Sequence, residues 1–237
     1  MIYETRWASD GWIRADWDKW TLFVVLRPTG RPLHSHVHAD AGSFILFRAG
    51  IPVVIDPGRG SYQSADAWAV GAAAHNAPVI GDLGISISRR GYFCDAYLAV
   101  ERPSWSLEDD TLELSSRSLA RVARCHTWRR RLVPRRDGLD VADHVHGAGP
   151  VAVNLSIASG NLAGSQHGAV GRLRDGTPLR LSTLSEGWET AVAGPDDPRG
   201  GWWPGYGHQE PCSRVLCTRR RQSSETLIVR IESPCAE

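Results

Sequence analysis

Lysine is almost missing from this chain. Lys19 is the only one, and every other basic residue is arginine. Arginine's planar fork suits carboxylate and sulfate groups, and a GC-rich genome produces the same bias, so both explanations stay open. Excess charge is missing too. The formal net charge is +1 over 237 residues, so no whole-molecule field calls for a nucleic-acid partner. Cysteine is scarce and odd in number, at Cys94, Cys125, Cys212, Cys217 and Cys235, with no CxxC spacing. That pattern does not read as a thiolate zinc site or a disulfide framework. Buried free thiols are expected, with a Cys212–Cys217 bridge as the alternative. No basic segment followed by an apolar stretch stands at the N-terminus, MIYETRWASDGW, so no signal peptide is legible. No apolar run approaches the roughly 20 residues that a membrane-spanning helix needs, which argues against a membrane partner. Helical periodicity sustained over ten residues is also absent. Residues 64–74 (SADAWAVGAAA) are the best candidate for a short helix, and Gly71 weakens it.

What is present is strand-forming. Short segments rich in Val, Ile, Leu, Phe and Trp are punctuated by Gly, Pro and Asp. WTLFVVLRP (20–28) and FILFRAGIPVVID (44–56) are strongly β-prone, the second as a hairpin turning at Ala49-Gly50. Asp137-Gly138 and Asp175-Gly176 mark two further tight turns, and late strands are expected at 213–219 and 226–232. No internal repeat is visible. Residues 193–201 (AGPDDPRGG) read as a surface loop rather than a linker. The expectation is an all-β, antiparallel sandwich forming one domain over 1–237.

The chemistry concentrates at residues 33–43, LHSHVHADAGS. His34, His36, His38 and Asp40 occupy every second position, and in an extended strand alternate side chains share a face. Imidazole nitrogens and a carboxylate at that spacing can converge on a zinc-like cation; a solvated polar strand is the plain alternative. The apolar run IPVVI then ends in Asp56-Pro57-Gly58, placing a carboxylate where a hydrophobic strand turns. Burying such a group without a partner is expensive, though an Asp before Pro is also a common turn. His75-Asn76 follows a run of small residues. A lone histidine there gains meaning only beside the other groups. Two imidazoles and one carboxylate would leave a fourth zinc position open, as in three-ligand catalytic sites.

HSHVHADAGSFILFRAGIPVVIDPGRGSY followed by AAAHNAPVI resembles the C-terminal domain of the heparinase II/III family of polysaccharide lyases. That family's hallmark is HxHxDxxSF, a hydrophobic hairpin ending in DPG, then HN. GWIRADWDKWTLFV and HTWRRRLVPRRDGLDVADHVHG resemble flanking hairpins more loosely. The resemblance implies a catalytic role for His36 and a metal, usually zinc, on His38, Asp56 and His75. It also implies supporting positions at Asp40 and Asn76, which would orient the ligands. Tyr62 and Tyr206 stand at familiar places and are weaker candidates for contacting substrate. His34 lies outside the motif and receives no role.

Family members cleave acidic polysaccharides such as heparan-type glycans or alginate by β-elimination. They place an α/α-toroid before this domain, and the toroid supplies a catalytic tyrosine and a neutralising Asn or His. This chain begins almost at the sandwich, so the expectation is a catalytic set that is incomplete alone, the toroid being a possible separate partner. Periplasmic or secreted localisation follows from the resemblance only. Two other functions are weighed against it. A non-catalytic glycan-binding sandwich stabilised by its metal fits the same residues. A cupin-like metal enzyme fits less well, because cupins carry a glutamate shortly after HxH, whereas here the next carboxylate after Asp40 is Asp56. Trp202-Trp203 reads either as a sugar-stacking platform or as core packing. The arginine clusters 129–131 and 219–221 read as anion contacts or as half-solvated strand residues.

Overall fold

The computed structural model describes residues 4–6, 11–26, 38, 40–58, 60, 69, 71–80, 83–84, 102–117, 125–147, 150–194, 197, 201–205, 207–219 and 225–234. The strands in chain order begin with β1 (Glu4–Arg6), β2 (Trp12–Trp17), β3 (Trp20–Val25), β4 (Phe44–Arg48), β5 (Ile51–Val54), β6 (Pro78–Ile80) and β7 (Leu83–Gly84). Next come β8 (Ser104–Glu108), β9 (Thr111–Ser116), β10 (Cys125–Arg135), β11 (Gly138–Gly147), β12 (Val151–Ile157), β13 (Ala163–Ser165) and β14 (Gly168–Arg172). The last are β15 (Pro178–Thr183), β16 (Glu189–Ala193), β17 (Trp202–Gly205), β18 (His208–Glu210), β19 (Ser213–Arg219) and β20 (Glu225–Glu232). The fold is an all-β antiparallel sandwich. One sheet runs β1-β2-β3-β4-β5-β12-β19-β16, with β6 also paired to β12 and β7 to β6. The other runs β13-β14-β15-β20-β11-β10-β9-β8, and β17 pairs with β18 apart from both.

Alternation decides which residues fill the space between the sheets. In β2, Ile13, Ala15 and Trp17 are buried while Trp12, Arg14 and Asp16 are half-exposed. In the facing sheet, Trp128, Leu132, Leu139 and Val141 turn inward and join the same core cluster. Two indoles tie the layers by hydrogen bonds: Trp17 Nε1 donates to the Arg135 carbonyl at 2.8 Å and Trp20 Nε1 to that of Arg136 at 3.3 Å. The buried Trp therefore satisfies its one polar atom while contributing its ring.

The hairpin expected at 44–56 forms, with Ala49 at φ 48° and Gly50 at φ 80° in the turn between β4 and β5. The Asp175-Gly176 turn also forms, with Gly176 at φ 84°. The third turn differs by one residue. Arg136-Asp137 makes the bend, and Gly138 is already the first residue of β11, paired with Arg135. A Cβ on Gly138 would stand 1.8 Å from the Ile231 carbonyl oxygen. The glycine thus serves the close approach of β20 and not the turn. The strand expected over 20–28 ends at Val25. Of the expected helix, Ala72–Ala74 form a single 3-10 turn, and 64–68 and 70 lie outside the described residues. Cys212 and Cys217 are buried free thiols, not a bridge, and burial pushes both above the ordinary thiol range. No helix among the described residues is long and apolar enough to cross a membrane.

One irregularity of the first sheet positions everything below. A single edge of β12 serves two partners. Ile157 pairs with Val54 of β5, and Val151–Val153 pair with Pro78–Ile80 of β6. Between them the ladder has a gap, and the chain returning from the 3-10 turn enters it as His75-Asn76.

Candidate metal centre

Asn76 fills that gap with its side chain. It is wholly buried, and its amide nitrogen donates to the carbonyls of Phe44 and Ile55 at 2.8 Å each, while its Oδ1 accepts from the Ser156 N–H at 2.7 Å. Its own N–H donates to the Ser43 hydroxyl at 3.0 Å. One amide thus joins the start of β4, the residue after β5 and the C-terminal end of β12, filling in where the ladder is interrupted. His75, one residue earlier, is held rigidly as a consequence. Behind it, Arg214 donates to the Ala73 carbonyl at 2.9 Å and to Asn154 Oδ1 at 3.0 Å, fixing the 3-10 turn that precedes the imidazole.

Asp56 arrives from the other side of the gap. Val53, Val54 and Ile55 are buried, so the strand carries the carboxylate to the edge of the core, where Pro57-Gly58 turns the chain. Asp56 Oδ1 accepts from the Gly58 N–H at 3.0 Å, and Oδ2 lies 2.6 Å from Nδ1 of His75. Gly58 sits at φ 67°, and a Cβ there would meet the Trp203 carbonyl oxygen at 2.6 Å. The Trp203 N–H in turn donates to the Pro57 carbonyl at 2.9 Å. Trp202 packs against the cluster of Ile55, Ala158 and Cys212, with the Arg174 guanidinium 4.7 Å above its ring. The Trp pair anchors the loop that aims Asp56 and does not stand out as a stacking platform.

His38 completes the group. Its ring centroid lies 5.3 Å from that of His75, with planes tilted by 40°. One ligand-capable atom from each of His38, Asp56 and His75 lies within 4.8 Å of the other two. His75 is fully buried, while His38 and Asp56 are half-buried, so the cluster opens to solvent on one side. Burial pushes the Asp56 carboxyl up. The charge on His75, hydrogen bonds from His75 and from the Gly58 N–H, and the charge on His38 outweigh it, and the carboxyl is held below its ordinary value. The donor set suits a borderline cation. Two imidazoles and one ionised carboxylate within a few ångströms match a three-ligand zinc site with one position left over. The 2.6 Å contact is a hydrogen bond and is shorter than the ~3.3 Å between ligand atoms of a tetrahedral zinc site. A cation held through these same two atoms would replace the proton between them.

Asp40 is half-buried, and its carbonyl accepts from the Ser43 N–H at 2.8 Å, closing a turn whose Gly42 stands at φ 77°. His34, His36, Tyr62 and Tyr206 lie outside the described residues.

Sequence reasoning missed the group that locks the two ligand-bearing loops together. Arg130 is wholly buried and forms a two-bond pair with Asp143, Nε to Oδ1 at 2.8 Å and Nη2 to Oδ2 at 2.7 Å. Its Nη1 donates to the Gly42 carbonyl at 2.7 Å and to the Asn76 carbonyl at 2.6 Å. Its neighbours Arg129 and Arg131 are more than half exposed, as alternation demands. The signal was available: Trp128, Arg130 and Leu132 share one strand face, so the middle arginine of the three points into the core.

The comparisons with known proteins agree on the fold. Residues 6–232 match the family model for the heparinase II/III-like C-terminal domain. Among solved structures, the heparan sulfate lyase HepC of Pedobacter heparinus is 14% identical, superposes with a TM-score of 0.75, and shares 99% of this chain and 37% of its own. A heparinase III with methylated lysines is 17% identical at a TM-score of 0.72, over 94% of this chain and 34% of its own. The 4-alpha-glucanotransferase of Thermococcus litoralis is 8% identical at 0.55, over 98% and 39%, so the sandwich architecture alone does not specify a reaction. This chain spans about a third of the length of these enzymes. No curated protein matches it significantly.

Proposed function

Because the chain belongs to the heparinase II/III-like family through its C-terminal domain, we propose that it forms the metal-bearing half of an active site that cleaves acidic polysaccharides by β-elimination. The observation that carries this is the convergence of His38, Asp56 and His75 from three separate segments. In this reading His38, Asp56 and His75 hold a divalent cation, zinc by the chemistry of the donors. When bound, that cation supplies a fixed positive charge and a cross-link between the loops entering β4 and leaving β5.

The remaining chemistry falls to side chains. β-Elimination at a uronate requires neutralising the carboxylate, removing the proton alpha to it and protonating the leaving oxygen. Preorganised donors carry much of that barrier. His36 is two residues before His38, and an imidazole near neutral pKa is suited to moving one of those protons. Asp40 and Asn76 keep the ligand segments in place, and Tyr62 and Tyr206 are the candidates for contacting sugar. An α/α-toroid, on a longer polypeptide or on another chain, supplies the opposite wall and its tyrosine. Substrates in this reading are heparan-type glycans or alginate, met in the periplasm or outside the cell.

Metal analysis of the purified chain tests this directly. About one equivalent of zinc is expected in the wild type and a small fraction of that in His38→Ala at unchanged thermal stability of the metal-free forms. A wild type that neither retains nor takes up a divalent cation refutes the reading. If chelation abolishes cleavage while fold and substrate affinity persist, the metal acts in the reaction and not only in ordering the loop.

A further inference from the structure

A second polar depression lies on the other sheet, well apart in lining from the metal centre. It encloses about 540 Å³ and is bordered by Arg102, Arg117, Arg129, His144 and His146, with the hydroxyls of Ser104, Ser115, Ser116 and Thr127. Trp128 also borders it, between Thr127 and Arg129 on β10, while its ring is fully buried in the core and its indole N–H donates to Asp143 at 3.2 Å. None of the described residues that line it is acidic. In a chain whose 27 basic and 26 acidic residues nearly cancel, three guanidiniums and two imidazoles around one depression depart from the average surface.

The register explains why these groups meet. Ser104 pairs with Ser115, Ser115 with Arg129, Arg129 with His144, and His144 with Thr226. This is one row across β8, β9, β10, β11 and β20, all on the face that turns away from the core. Neighbouring strands are about 4.8 Å apart, so the segment from Ser104 to His144 spans roughly 14 Å. Thr127 and His146 form a second pair beside it. The row is held in place: His144 Nδ1 meets the Thr226 hydroxyl at 2.8 Å, and Arg129 Nε lies 3.2 Å from Glu113 at the margin. That last pair is exposed and contributes little energy of its own, so an incoming oxyanion competes with it at small cost.

We propose that this depression is a second, non-catalytic binding site for the oxyanions of an acidic saccharide chain. Guanidinium forks match carboxylate and sulfate by two parallel hydrogen bonds, and the serine and threonine hydroxyls suit sugar hydroxyls between the charges. The alternative polyanion, a single-stranded nucleic acid, finds less here. The Trp128 ring is buried in the core, the described lining offers no exposed aromatic ring for base stacking, and the molecule's net charge of +1 supplies no steering field. The saccharide nature of the ligand rests on the polysaccharide reading above; the anion site does not. Such a site would hold a long substrate to the domain while the metal centre acts elsewhere along it.

Calorimetry on the metal-loaded full chain at fixed ionic strength tests the site. The probes are a size-defined heparin oligosaccharide, an alginate oligosaccharide of equal length, and a single-stranded oligonucleotide. The wild type is expected to bind at least one saccharide. The triple variant Arg102→Ala, Arg117→Ala, Arg129→Ala is expected to bind it at least tenfold more weakly, with metal content and melting temperature kept. If the triple variant melts early, Arg117→Glu alone, at an exposed position, gives the same comparison. Asp56→Asn is expected to bind within twofold of wild type. Binding of heparin alone assigns the oxyanion to sulfate esters, and binding of both saccharides assigns it to uronate carboxylates. The site is overturned if the wild type binds neither saccharide, if the arginine variants bind as tightly as wild type, if Asp56→Asn abolishes binding, or if the oligonucleotide binds as well. A wild type devoid of metal would instead sink the lyase reading and leave this measurement standing.

Discussion

At the scale of single residues, Asp56 and Arg130 contribute in different ways. The Asp56 carboxyl is held below its ordinary value in the fold, so its contribution to stability is present above the unfolded value of 3.8 and disappears as pH falls through the lowered folded one. In chelated protein, the stability gap between wild type and Asp56→Asn should shrink as pH falls below 3.8. Acid denaturation followed by circular dichroism reads this out, and a gap that widens below that value would contradict it. Arg130 is the opposite case, a buried charge whose partner cannot reach water. Arg130→Met leaves Asp143 unpaired in the core, and uncompensated buried charges of this kind cost about 3–5 kcal/mol. It also releases the Gly42 and Asn76 carbonyls, which lie in the segments carrying His38 and His75. Urea titration should show that loss, and the double variant Arg130→Met, Asp143→Leu should recover most of the stability while binding zinc more weakly than wild type. Full recovery of zinc affinity in the double variant would show that the arginine does not position the ligands.

At the scale of elements, the site depends on a strand that is not there. β12 lacks a partner between β5 and β6, and Asn76 closes the gap with one side chain. The loop after β5 is clamped from outside by Trp203, through Gly58 and the Pro57 carbonyl. Gly58→Ala combines a left-handed φ, which costs an L side chain, with a 2.6 Å approach to the Trp203 carbonyl oxygen, which a Cβ does not tolerate. The expected result is a loss of zinc affinity of at least tenfold with only a modest change in melting temperature, since the loop is peripheral to the main core. Gly138→Ala meets backbone at 1.8 Å in the heart of the β11–β20 ladder. It should lower the melting temperature sharply and leave the zinc stoichiometry of the folded fraction intact. Measuring both variants side by side separates positioning of the site from stability of the sheet.

At the scale of the whole molecule, this chain covers about a third of the lyases it superposes on. The His38–Asp56–His75 cluster is open on one side, and in the function proposed above the complementary tyrosine and neutralising group come from a toroid. The 237-residue chain alone should therefore produce unsaturated uronate from heparin or alginate at a rate near background, and addition of a cognate toroid should raise it by orders of magnitude. Robust cleavage by the purified chain by itself would overturn that expectation.

Much of this was legible in the sequence because it depends on local rules. β-Prone composition pointed to strands at 44–56, 213–219 and 226–232, and the resemblance carried by HxHxDxxSF, DPG and HN pointed to His38, Asp56 and His75, which the fold brings together. Tertiary structure alone decided the rest. Strand parity already turns Arg130 inward; that it locks the site depends on Asp143 across the ladder and on the Gly42 and Asn76 carbonyls it meets, partners with no local signature. That Gly138 serves the approach of β20, and not its own turn, depends on a strand some ninety residues away. The row Ser104–Ser115–Arg129–His144 exists only because register aligns four strands, since hydrogen-bonded ladders bring distant residues side by side at a spacing no linear pattern encodes.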